Sequence, residues 1–503
     1  MRARMMLSRR LAIGLCLIAP MATGSAADRF EPARAFIRQQ LLEQSVPSVA
    51  VAVAKDGKII WEEGFGWADR ERRVPATPHT MYSLASISKP ITATALMTLA
   101  QAGKVDLDKP ANQYLGSAKL VARIGDAREA TLRRIANHTS GLPTYHQFFY
   151  SDAPYPAPGM DETIAHYGSL LRVPGQKLEY SNIGFGVLGH VIERVSGVSY
   201  GDFMQRELFA PLGMTRSSVN IGPGLESYAA VRYGDDQRPL PPYVTDTPGA
   251  ADVYSSAHDL VRFGLFHMKA HLSDQKAILS DASIDAMKQR TSFTKNARSG
   301  DYGFGVGFMV LEKGAYRVVG HGGGLDGVST QLYMVPDEGI VIVALSNLSW
   351  KKPFEVPDRI AEVLLPKWSA KKPATPSTPQ EKFATPSQLA GSWRGVLSTY
   401  RGDMPLQLQF QPSGEVRAKL GDQLLALVDS PEFQKERFTG QFVARIDTPD
   451  AERFAYVVDL ELDLRGERLT GSAHTPYWLG GFKQTRRHGQ LAHWVDLSRE
   501  HLP

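Results

Sequence analysis

A serine and a lysine three residues apart, in Ser86-Ile87-Ser88-Lys89, stand at the head of a run in which Ile91, Ala95, Leu96, Leu99 and Ala100 recur at helical spacing. Residues i and i+3 share a helix face. Lys89 is thus placed to hold the Ser86 hydroxyl and lower its effective pKa, which makes Ser86 a candidate nucleophile for acyl transfer. The positive end of a helix also favours an alkoxide and a nearby oxyanion. Pro90 fits only the first helical turn, so the helix starts near Ser86, and Gly103 stops it. The pattern by itself is common: it also begins at Ser273, Ser292, Ser349 and Ser369. Each of those reads as a solvated polar stretch, and only Ser86 opens a strongly apolar helix.

Two other groups carry chemistry. Tyr180-Ser181-Asn182 is the single Tyr-x-Asn in the chain. A phenol acts as a general base where cations depress its pKa, and an asparagine amide binds an amide carbonyl. Gly175, Gly184 and Gly186 around it predict a tight loop opening a helix over 187–195; a structural tyrosine and an asparagine cap explain the same residues. His321-Gly322-Gly323-Gly324 follows a β-like stretch at 316–320. Consecutive glycines admit close backbone approach, and a strand edge there can pair with a substrate amide and donate an oxyanion N–H. His321 would add an imidazole to the pocket wall, although a plain turn between strands also accounts for the glycines.

In order, Tyr180 lies 94 residues after Ser86, and His321 a further 141 on. This order resembles the serine β-lactamase and penicillin-binding-protein superfamily, in its class C-like branch of β-lactamases, DD-peptidases, D-aminopeptidases and esterases. Thr80–Lys89, Asn137-His-Thr-Ser-Gly-Leu-Pro143, Pro174–Asn182, Leu212-Gly-Met214 and Ser255-Ser-Ala-His-Asp-Leu260 are similar too, so the likeness spans about residues 30–367. It implies an acylated Ser86, with Lys89 as its partner and Tyr180 as the proposed general base. Asn182, His321, Gly322, Gly323 and Gly324 would bind substrate, and the Ser86 and Gly324 N–H groups would form the oxyanion hole. His138 and Thr139 fall in the segment read as structural. His321 departs from the family, where many members have Lys in Lys-Thr-Gly. A titratable imidazole without the neighbouring hydroxyl is a poor fixed cation for a substrate carboxylate. The resemblance therefore implies a peptidase or esterase. The alternatives are a class C-like β-lactamase and a non-hydrolytic penicillin-binding sensor.

The elements that must position these residues are partly legible. Val46–Ala54 and Lys58–Trp61 flank Asp56-Gly57 as a β-hairpin, and β-like runs return at 302–311, 316–320, 328–335 and 339–346. Strands at both ends with helices between predict one α/β domain over 28–368 whose sheet joins early and late segments; the family implies an antiparallel sheet flanked by helices. A Pro/Ser/Thr-rich segment at 369–387 reads as an extended linker and soft hinge. Beyond it, over 388–503, Leu406, Leu408, Phe410 and then Val458, Leu460, Leu462 alternate with polar residues, which predicts a small antiparallel β-barrel. The segment from Leu389 resembles the lipocalin-like barrel appended to many family members.

The 503 residues are 43% hydrophobic and 22% charged, the balance of a globular protein. The first 27 positions read as a signal peptide: Arg2 to Arg10, an apolar stretch at Leu11–Ala22, then small residues. The expected product is secreted or periplasmic, with no integral membrane segment left after cleavage. Those positions hold four of the 57 basic residues and no acid, which leaves 53 against 52 acidic. Such a balance offers no electrostatic case for nucleic acid. The single cysteine, Cys16, lies in the apolar stretch. No metal spacing or nucleotide fingerprint stands out, so no cofactor is expected. The expected partner is a small-molecule or peptide substrate, and the oligomeric state is not readable.

Overall fold

The structure is a computed structural model that describes residues 29–294, 301–349, 355–368, 383–454, 456–475 and 489–500. The predicted signal segment and most of the predicted linker lie outside them.

The larger, N-terminal part of the chain is built on one antiparallel sheet. Its strands are β1 (Ser48–Lys55), β2 (Lys58–Asp69), β3 (Val74–Pro75), β4 (Tyr302–Phe304), β5 (Met309–Lys313), β6 (Tyr316–Leu325), β7 (Val328–Val335) and β8 (Ile340–Ser346). Their spatial order is β4-β5-β6-β7-β8-β1-β2-β3, so β1 pairs with β8 across most of the chain length, as expected. The β1–β2 turn is at Asp56 (φ 49°) and Gly57 (φ 79°), the doubly left-handed form that matches strand twist.

Both sheet faces are covered, and β1 shows why. Val49, Val51 and Val53 point to one face, where helices α1 (Glu31–Glu43) and α5 (Val356–Leu364) pack; Ala50, Ala52 and Ala54 point to the other. On that second face lie α2 (Ser88–Gln101), α3 (Asn182–Ser196) and α4 (Ala257–His267). α4 crosses β8 where Gly264 meets Val341, so closely that a Cβ on Gly264 would overlap the valine side chain. α2 is buried along almost its whole length, which makes it the axis of the domain.

Two local expectations change. α3 begins at Asn182, five residues before the predicted start. Ser181 caps it by accepting from Gly184 N at 3.0 Å. Gly184 and Gly186 are inside the helix because a Cβ on either would crowd Ile135 or Thr247 at 3.0 and 2.8 Å. His321–Gly324 is not a turn but the second half of β6, in register with Leu332–Ser329 of β7; the turn falls at Asp326-Gly327.

The C-terminal residues form a nearly closed antiparallel barrel. Its principal strands are β9 (Gly391–Thr399), β10 (Gly402–Phe410), β11 (Val416–Leu420), β12 (Arg437–Val443), β13 (Val457–Arg465), β14 (Arg468–Thr475) and β15 (Gly489–Arg499). They run β11-β10-β9-β15-β14-β13-β12. The alternating Leu406, Leu408, Phe410 and Val458, Leu460, Leu462 fill its interior around Trp393. The barrel is not a freely hinged appendage. β15 pairs with the strand His146–Tyr150, Gly489 opposite Gln147 and Gln490 opposite His146. Leu171 packs on Ala492 and Trp494, and the His166 and Tyr400 rings stack at 3.8 Å.

Because Gly264 sits on Val341 with no room for a side chain, Gly264→Ala should destabilise the protein by about 1–3 kcal/mol through overpacking, despite the better helix propensity of alanine. Denaturant unfolding checks this; an unchanged or raised midpoint would show that α4 and β8 separate without cost.

Candidate active site

Ser86 lies in a 3-10 turn, Ala85–Ile87, that runs directly into α2. The turn is held rigidly. Leu84 N donates to Val253 O at 2.9 Å, and Thr330 Oγ1 of β7 donates to Leu84 O at 2.9 Å. Ala85 is forced to φ 47°, a left-handed conformation that costs an L-residue about 1–2 kcal/mol. The Ser86 side chain that follows is half-buried.

Lys89, one turn on, is fully buried. Its Nζ lies 3.1 Å from Ser86 Oγ, 2.8 Å from Asn182 Oδ1 and 3.1 Å from the Ala250 carbonyl. None of these acceptors carries charge. Burial drives the Lys89 pKa well below its ordinary 10.5. As a free amine, Nζ donates its two hydrogens to Asn182 and Ala250 and keeps a lone pair for the Ser86 hydroxyl proton.

Tyr180 completes this group. Its ring lies 4.8 Å from Lys89 Nζ, and its hydroxyl bonds to the Ser86 side chain. Burial raises the Tyr180 pKa, and the bond to Ser86 opposes that only partly, so the group is a neutral phenol. His138 supports it from behind. The two rings are 4.4 Å apart, and His138 Nδ1 accepts from Ser181 N at 3.1 Å. His138 itself has φ 63°, and burial keeps it uncharged. Its structural reading agrees with this placement.

β6 brings the glycines to the serine turn. A Cβ on Gly323 would overlap the Leu84 carbonyl and the Thr330 hydroxyl, so only glycine allows the strand so close. His321 shares that face of the strand with Gly323. Its Nδ1 donates to its neighbour's carbonyl, Gly322 O, at 2.6 Å, which leaves Nε2 as an unprotonated acceptor. Burial, the largest cause, holds the His321 pKa down to about 3. Its ring is 6.2 Å from Tyr180 and 6.0 Å from Phe304. Gly322 is half-buried and Gly324 exposed at the end of the same strand.

The structure thus gathers Ser86, Lys89, Tyr180 and Asn182 into direct contact and sets His321 to Gly324 alongside. Sequence reading missed His146, whose Nδ1 meets Asn182 Nδ2 at 3.4 Å, and whose pKa burial lowers to about 4. The aromatic run Tyr145–Tyr150 was its available signal, since that composition favours a strand. Arg172 and Glu179, which flank the Tyr180 loop, were also missed; the Arg172 partners Glu461 and Asp463 lie 289 or more residues away and leave no local trace. Among the described residues no cluster of three or more His, Cys, Asp or Glu could hold a metal.

The sequence profile of the Beta-lactamase family matches residues 33–365. Penicillin-binding protein 4* of Bacillus subtilis (strain 168) is 29% identical over 364 residues, covering 62% of this chain and 74% of that protein. Penicillin-binding protein 4 of Amycolatopsis lactamdurans is 29% identical over 323 residues, covering 61% and 82%. Among solved structures, the octameric penicillin-binding protein homologue from Pyrococcus abyssi superposes with a TM-score of 0.58 at 22% identity, over 92% of this chain and 99% of that one. A class C beta-lactamase superposes with a TM-score of 0.59 at 20% identity, over 70% and 99%. At such identities the structural likeness speaks for the fold alone. The profile, however, takes in about two-thirds of the chain and every residue of the serine–lysine–tyrosine group, and this chain belongs to the Beta-lactamase family.

Proposed function

We propose that the protein is an exported serine hydrolase that cleaves an amide or ester through an acyl-serine intermediate, as a peptidase or esterase of this family. The observation that carries the reading is the buried Lys89 amine, 3.1 Å from Ser86 Oγ and bonded only to neutral groups. Ser86 Oγ attacks the substrate carbonyl carbon as its proton passes to the Lys89 lone pair. The tetrahedral oxyanion is bound by the Ser86 and Gly324 N–H groups; one such donor is worth about 3 kcal/mol. On collapse the leaving amine or alkoxide takes a proton from the Tyr180 hydroxyl, which regains one from the Lys89 ammonium. Water then attacks the acyl carbon by the reverse route and frees the acid and Ser86. The Asn182 amide, its Oδ1 fixed by Lys89, offers Nδ2 to the substrate carbonyl.

His321 supports the choice of substrate. An imidazole whose pKa is near 3 is neutral at physiological pH. It offers no cation to the carboxylate of a penicillin or an acyl-D-Ala-D-Ala peptide. The arrangement therefore fits amides and esters that lack a carboxylate at that position. Export follows from the n-region, apolar stretch and small residues of the first 27 positions. No helix among the described residues is long and apolar enough to cross a membrane.

Intact-mass measurement after a fluorophosphonate probe should show one adduct, lost in Ser86→Ala; an adduct that persists or maps elsewhere overturns the assignment. A panel of nitrocefin, D-amino-acid amides, acyl-D-Ala-D-Ala peptides and short p-nitrophenyl esters decides the substrate class. Amides or esters should turn over repeatedly. Fast, selective nitrocefin turnover would make the protein a β-lactamase, and a stable adduct without product would make it a sensor.

The pH profile follows from Lys89. The reactive form is the free amine, and burial lowers its pKa, so acylation should rise with pH and level off well below pH 10.5. A rate still climbing near pH 10.5 would mean an ordinary, solvated lysine. Tyr180→Phe removes the proton relay and should cost about 10²–10⁴-fold in kcat; wild-type turnover in that variant would remove Tyr180 from the mechanism.

A further inference from the structure

Arg172 lies at the seam between the catalytic domain and the barrel, with its side chain only 5% exposed. Its Nε meets Glu179 Oε2 at 3.2 Å, and its NH2 meets Glu461 Oε2 at 3.2 Å and the Glu461 carbonyl at 3.4 Å. Its NH1 is 3.7 Å from Asp463 Oδ2. Both acids of that second pair belong to β13 of the barrel. Arg437 on β12 binds them from the far side, at 2.8 Å to Asp463 and 3.4 Å to Glu461. Gly471 of β14 leaves the space the guanidinium fills: a Cβ there would stand 3.0 Å from Arg172 NH1. Charges alternate along this row, Arg437, the two barrel acids, Arg172, Glu179, and the row ends next to Tyr180 in the chain.

The catalytic-domain end of the row is equally fixed. Arg172 N and Leu171 N donate to Gly141 O at 3.3 and 2.9 Å. Glu179 N donates to His138 O at 2.8 Å, and Ser181 N to His138 Nδ1 at 3.1 Å. The segment 179–181 is therefore tied on one side to His138 and on the other, through the Glu179 carboxylate, to Arg172. Arginine is suited to this position, because its planar fork serves several carboxylates at once. Without Glu461 and Asp463 the buried guanidinium would keep one carboxylate of three, and a buried charge robbed of partners moves to find others or water.

We propose that the barrel is part of the catalytic apparatus: Glu461 and Asp463 are positioning residues that, through Arg172 and Glu179, hold the Tyr180 phenol against Ser86 and Lys89. This rests on the hydrolase reading above. The barrel acids touch neither substrate nor nucleophile; they set the place of a group that does.

The test uses the full chain. Glu461→Gln with Asp463→Asn removes both charges at nearly constant volume. Turnover of a D-amino-acid amide, whose leaving amine needs the Tyr180 proton, should slow by about 10²-fold, the usual effect of displacing a reacting group by an ångström. In a Tyr180→Phe background the same pair of changes should leave the remaining rate unaltered, because there is no phenol left to misplace. An unchanged rate in the first background, or the same slowing in both, overturns the proposal. Glu461→Gln alone keeps Asp463 on both arginines and carries the test if the double variant does not fold. Hydrogen exchange separates this from failure of the hydrolase reading. The Glu179 and Ser181 amides should lose protection in the variant even if no probe labels wild-type Ser86, and unaltered protection there overturns the proposal independently.

Discussion

A lysine amine buried without a carboxylate is the constraint on which the site depends. Burial disfavours an ammonium in that position and lowers the Lys89 pKa, and no carboxylate among the described residues pairs with it there. The surroundings are consistent with a neutral amine. The Lys89 amine is bonded by an amide, a carbonyl and a hydroxyl and walled by the Tyr180 and Phe185 rings at 4.8 and 5.8 Å. The imidazoles nearest to it, His138, His146 and His321, are all held neutral by burial. A neutral amine and a neutral phenol bonded to one serine can pass a proton without creating a bare buried charge beforehand.

The scaffold turns that chemistry into geometry through close backbone approach. β6 can lie against the serine turn only because Gly323 has no side chain, and Thr330 from the adjacent strand then reaches Leu84 and fixes the turn's carbonyl. Ala85 tolerates its left-handed conformation because the residues on both sides are tied down. α2, buried on nearly all sides, gives Ser86 and Lys89 a common rigid base.

The sequence revealed those parts that rest on local rules. Pro90 and the apolar period located the α2 start, and Asp56-Gly57 located the first hairpin. Glycines misled once. Gly184 and Gly186 were read as loop, whereas both lie inside α3 where another element passes too close for a Cβ; Gly323, read as allowing close backbone approach at a strand edge, does so against Leu84. Local propensity cannot tell a flexible glycine from a crowded one. His146 and Arg172 were hidden because their roles depend on barrel strands that lie more than 280 residues later.

That last point bears on where the functional unit ends. The family match stops at residue 365, and Ser86, Lys89 and Tyr180 all precede that boundary. Yet the strand carrying His146 takes its second neighbour from Gly489 and Gln490, and Arg172 takes two of its three carboxylates from β13. The ring stack of His166 on Tyr400 and the Leu171–Trp494 contact seal the same seam with apolar surface. Ionic, apolar and main-chain contacts thus converge on one side of the Tyr180 loop. Ser86, Lys89 and Tyr180 lie within the family-matched residues, whereas the contacts that brace the tyrosine loop cross that boundary.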